Sequence, residues 1–205
     1  MSWYVPLFYA GVAYLVVWTL GLGGFPNRQF MQGLVARMGV SSSPVVSTVL
    51  YVLLTSSFGL IGSLARALGE EIGWRGFLVP ELSKTTSFTG TAIFSGIVWA
   101  CWHYPVLIWG DYNAGTPSWY GLTCFTMMVV AIAVVFAWMR LKSGSLWTGV
   151  LLHASHNLFI QNFFDPITAD TGRTRYVIGE FGAALAIAAM LLGAYFWSRR
   201  REVSV

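Results

Sequence analysis

What most constrains this chain is its succession of apolar runs. A helix needs about 20 consecutive apolar residues to cross the hydrocarbon core of a bilayer. Six segments meet or approach that length, roughly 3–22, 44–79, 88–109, 119–138, 146–164 and 176–197. Charged residues make up 10% of the chain and hydrophobic ones 56%, whereas a soluble domain carries about 25% charged residues. The reading is an all-α polytopic membrane protein of about six transmembrane helices around an internal polar cavity. It forms a single domain over 1–205, with no polar linker long enough to divide it and no internal repeat.

Punctuation between the runs fits this reading. Gly21, Gly23, Gly24 and Pro26 end the first run, which lacks a basic leader and a cleavage site and is expected to remain as a helix. Residues 27–43 place Phe30, Met31, Leu34, Val35 and Met38 at helical spacing, as in a short amphipathic surface helix. The 44–79 run is too long for one straight span and is expected either to tilt or to break near Gly62 or Gly69. The 119–138 run carries no polar feature and reads as scaffold, followed by a short basic turn at 140–145. Cys101 and Cys124 lie in apolar runs without metal spacing and read as small buried residues. The net charge of +4 comes mostly from basic residues at span ends, which speaks for topology and anionic lipid and against nucleic acid. Arg140, Lys142, Lys84 and the 199–201 arginines agree on one face if both termini are cytoplasmic; Arg28 and Arg37 then oppose the rule.

Ionisable residues inside a span are costly and usually functional. The richest stretch is Gly69-Glu70-Glu71-Ile72-Gly73-Trp74-Arg75. Residues four apart share a helix face, so Glu71 faces Arg75 and Arg66 faces Glu70. Arg75 can neutralise Glu71 and leave Glu70, about 100° away, for chemistry, though Arg66 can also claim Glu70. Trp99 and His103 share a face, as do His153 and Asn157, while His156 is displaced around the helix. Counted from the span ends, Glu70, His103 and His153 lie about 12 to 22 Å deep at 1.5 Å per residue, a common level that implies one cavity. A carboxylate and a histidine facing a shared water make a general base, and a histidine with an amide makes an oxyanion hole. The same Glu70, His103 and His153 are also a possible zinc set, although no HExxH is present. A proton-coupled transporter, or a non-catalytic protein holding a peptide or lipid, uses similar groups.

The order Glu70-Glu71-x-x-x-Arg75, Trp99-x-x-x-His103, His153-x-x-x-Asn157 resembles the CPBP intramembrane proteases, the CAAX protease and bacteriocin-processing family. The motifs fall inside a core of about 44–164. The resemblance implies an intramembrane endopeptidase acting on a membrane-associated peptide or protein, with a CAAX-type lipidated substrate as the precedent. It implies that Glu70 and His103 activate water, that His153 and Asn157 form the oxyanion hole, and that Glu71 and Arg75 brace the site. The second motif usually opens with Phe, and this chain has Trp99 there, so Trp74, Trp99 and Trp102 are candidates for the substrate groove. The related eukaryotic enzymes look like metal-independent glutamate proteases, which favours no metal over zinc.

Overall fold

Inside a bilayer each backbone N–H and C=O must find its partner within the segment, which makes long apolar runs helical. The computed structural model describes residues 1–38, 44–110 and 115–203. Its helices are α1 (Tyr4–Thr19), α2 (Arg28–Met38), α3 (Pro44–Leu54), α4 (Leu60–Glu71), α5 (Val79–Ser83), α6 (Phe88–Trp109), α7 (Ser118–Ser143), α8 (Trp147–Phe159), α9 (Asp165–Ile167) and α10 (Ala183–Ser198). Among the described residues there is no strand, only an isolated antiparallel bridge between Gly24 and Ala169. Thr48–Ser83, Phe88–Trp109 and Ser118–Ser143 are long and apolar enough to cross a membrane, and α1 and α10 are shorter apolar helices. The chain is an all-α protein of membrane type.

The 44–79 run does not break at Gly62 or Gly69. α3, α4 and α5 form one continuous helix through two wider π turns, Thr55–Gly59 and Ile72–Leu78. Its Thr48–Ser83 part alone has 36 residues, about 54 Å at 1.5 Å per residue. The expected amphipathic surface helix corresponds to α2; residues 39–43 and 111–114 lie outside the described residues.

The run expected to be scaffold, α7, is the centre of the molecule. It packs against α6 on one side and α10 on another, and every residue from Ile132 to Met139 is buried. Small residues allow that approach: a Cβ on Gly96 of α6 would stand 2.9 Å from the Val130 Cα, and one on Gly193 of α10 would stand 2.6 Å from the Ala131 carbonyl oxygen. α7 also continues through Arg140 and Lys142 to Gly144, whose φ of +68° stops it, so most of the expected basic turn is helix. The last run is helical only from Ala183; residues before it turn back through Gly179 at φ +68°. Cys124 is buried, but Cys101 is exposed on the outer side of α6, against its sequence reading.

The two ends of the bundle differ. At one, Lys142 Nζ lies 3.7 Å from Glu202, Trp138 donates to the Arg199 carbonyl at 3.1 Å, and Trp197 donates to Thr89 at 3.0 Å. At the other, Asn27 donates to the Pro166 carbonyl at 3.0 Å and Thr174 to the Leu22 carbonyl at 2.9 Å.

Candidate functional site

Glu70 and Glu71 close α4, immediately before the Ile72–Leu78 π turn; such turns recur at functional sites. Adjacent residues on a helix diverge by about 100°, and the two carboxylates accordingly have different surroundings. Glu71 is fully buried and accepts a 2.9 Å hydrogen bond from the Arg75 guanidinium. That guanidinium is held between two rings, 3.8 Å from the Phe136 centroid and 4.2 Å from the Trp99 centroid. A desolvated cation over an aromatic face gains about 2 kcal/mol. The same Glu71 oxygen accepts from His153 Nδ1 at 3.0 Å, 82 residues away in sequence. Gly149, one turn before His153, makes room for this: a Cβ there would lie 2.7 Å from Glu71 Oε2.

Glu70 is only half-buried, and its Oε2 accepts from the Trp99 indole at 3.1 Å. One turn on, His103 Nδ1 lies 3.0 Å from the Trp99 carbonyl. A carbonyl can only accept, so Nδ1 carries the hydrogen and Nε2 is the nitrogen left for a ligand. His153 is in the same state, because its Nδ1 is taken by Glu71. Arg66 is exposed, and among the described residues no ion pair joins it to Glu70.

Glu70, His103, His153 and Asn157 line one interior cavity of about 60 Å³, floored by apolar residues of α7 such as Ile132 and Phe136. Such a space has room for a small number of waters. The Asn157 side chain makes no hydrogen bond to protein among the described residues, which leaves its amide to a ligand. Trp99 also lines the cavity, buried beneath it as the link between Glu70 and Arg75. Trp74 and Trp102 meet edge to face at 6.0 Å, with Trp102 exposed.

The cavity has a further wall that sequence reasoning missed. His156 Nε2 lies 3.0 Å from Glu180 Oε1, and its Nδ1 pairs with the Tyr9 hydroxyl. Gln161 donates to the same Glu180 oxygen at 3.2 Å. The available signal was Glu180 itself, a lone carboxylate within the otherwise apolar run of 176–197.

Among the described residues no three His, Cys, Asp or Glu side chains gather as metal ligands.

Residues 52–159 match the model of the family described as type II CAAX prenyl endopeptidase, Rce1-like. A curated relative, CAAX prenyl protease 2 of Methanococcus maripaludis, is 29% identical over 134 residues, covering 63% of this chain and 46% of the relative. The chain thus spans about half the length of the curated relative that it matches. No solved structure matches it. The matched residues contain all three motifs, from Glu70 to Asn157, and make up just over half of the 205 residues. The chain therefore belongs to the Rce1-like family of type II CAAX prenyl endopeptidases.

Proposed function

We propose that the chain is an intramembrane endopeptidase that hydrolyses a peptide bond with water activated by Glu70 and His103. The observation behind this reading is the convergence of Glu70, His103, His153 and Asn157, from three helices, on one small interior cavity. Each histidine has its Nδ1 hydrogen committed to a fixed acceptor, so each presents Nε2. In the reaction, Glu70 takes a proton from a water held against His103 Nε2, and the oxygen attacks the scissile carbonyl. The negative charge that develops is met by the Asn157 amide and by His153 Nε2, which donates when the ring carries both protons. The proton held by Glu70 then passes to the departing amine. Glu71 and Arg75 hold His153 in place and do not touch the substrate. Trp102, whose ring lies against His103, and Trp74 beside it do not line the cavity but offer an apolar surface suited to a lipidated chain, and the curated relative's name makes a prenylated C-terminal peptide the first substrate to test. By charge, the end carrying Arg140, Lys142 and Arg199 faces the cytoplasm, with the chain crossing several times as one domain.

The test is hydrolysis of a prenylated peptide by purified protein in liposomes, with the products sequenced by mass spectrometry. Removing a general base costs about 10²- to 10⁴-fold in rate, so Glu70→Gln and His103→Ala are each expected to fall that far with an unchanged melting temperature. Undiminished turnover by Glu70→Gln sinks the mechanism. The proposed chemistry needs no metal, so chelation is expected to leave the rate unchanged; activity lost to a chelator and restored by zinc overturns that part.

A further inference from the structure

On the side of Gln161 and Glu180 the interior cavity is bounded by a thin wall. Beyond that wall, the π turn that follows α8 (Ile160–Phe164), α9 and the segment before α10 border a second space of about 480 Å³. Its sides carry Asp165, Asp170, Thr174 and Arg175; Asp170 and Arg175 are exposed, so this space reaches the surface. Gln161 and Glu180 line both spaces. The partition is therefore one layer of side chains thick. It is also polar: Gln161 and His156 both meet Glu180 Oε1, and Tyr9 meets the far side of His156.

The chemistry of that partition is informative. Burying a carboxylate, an amide and an imidazole is costly unless water or dense hydrogen bonding compensates them. An apolar plug such as the α7 floor seals a cavity at lower cost. The outer space opens at the end where Thr174 meets Leu22, which is the end opposite Arg199 and Lys142.

We propose that this vestibule is a second, aqueous mouth of the interior cavity, and that Gln161 and Glu180 form the polar neck through which water reaches it. Its purpose, supplying the water consumed in hydrolysis, rests on the peptidase reading; the passage itself does not. Water drawn from this side leaves the opposite end free for peptide, so substrate and co-substrate do not compete for one entrance.

The experiment uses full-length protein in sealed liposomes of known orientation, with Cys101→Ser and Cys124→Ala removing native thiols. A reporter thiol is introduced on the cavity floor by Ile132→Cys, which leaves the neck intact, and in parallel at the neck by Gln161→Cys. Silver ion, close to water in size and unable to cross lipid, is added to one face only. Thiols it has reached are then read by intact mass spectrometry as protected from later alkylation. Modification of the floor reporter from the Asp170 face supports the proposal, whether or not the other face also reacts, whereas modification of the neck reporter alone from that face overturns it. Glu180→Leu is expected to slow floor modification from that face by about tenfold or more, and Glu180→Gln to preserve it, since thiol reactivity follows access. Modification from the Arg199 face alone, or from neither face, overturns it. The readout does not depend on turnover, so a failed peptidase assay and a failed labelling assay are separable results.

Discussion

Glu71 has no contact with water, and its place in the structure depends on three neighbours. Removing one member of a buried ion pair leaves an uncompensated charge and costs about 3–5 kcal/mol. Arg75→Leu is therefore expected to lower the melting temperature sharply in detergent. Adding Glu71→Gln removes the stranded charge and is expected to recover part of the loss, a non-additivity that a double-mutant cycle measures. Gly149→Ala acts on the same group. Its Cβ would lie 2.7 Å from a carboxylate oxygen whose partner oxygen is pinned by Arg75 and His153. Overpacking of this kind costs about 1–3 kcal/mol, and both stability and peptide turnover are expected to fall. The Glu71–Arg75 spacing is legible in the sequence because it lies within one helix. The Glu71–His153 contact is not, because helical periodicity says which residues share a face and not which helix that face meets. The same limit hid Glu180 behind His156 and left Arg66 as a rival that its exposure removes.

Among the elements, the long helix and the central helix differ in what the sequence could reveal. The bilayer length rule made each apolar run visible, and the bounds of α6 follow the run directly. It could not place the π turns of the α3–α5 helix, since the glycines that suggested breaks, Gly62 and Gly69, sit in regular α4. Nor could it show that α7 is central, because a helix that is apolar all round looks alike whether lipid or protein covers it. The glycines of α10 and α4 give contrasting expectations. Gly193→Val would drive a side chain into the Ala131 backbone and is expected to cost about 1–3 kcal/mol by prising α10 from α7. A Cβ on Gly69 meets nothing within 4 Å, so Gly69→Ala is expected to stabilise by about 0.4–1 kcal/mol. Thermal unfolding of the two variants side by side tests both.

At the scale of the molecule, the segment joining α8 to α10 carries a pH response. Burial lifts the Asp165 carboxyl from 3.8 to about 7, with Glu180 adding to the rise and the Tyr14 hydrogen bond opposing it. The folded state then holds a proton that the unfolded state has already lost, and stability falls as pH rises from about 4 through about 7. Asp165→Asn is expected to flatten the decline in melting temperature between pH 5 and pH 8; an unchanged slope rejects this assignment. The distribution of the cavity's residues along the chain has a consequence in time. A chain is made from its N-terminus, and the groups proposed for hydrolysis are all present once Asn157 has been added. Glu180 and the helix that packs α7 on its far side come later. During synthesis there is thus an interval in which all of these groups exist but the chamber is unwalled, and a site built this way is expected to be completed only when Glu180 and α10 have docked.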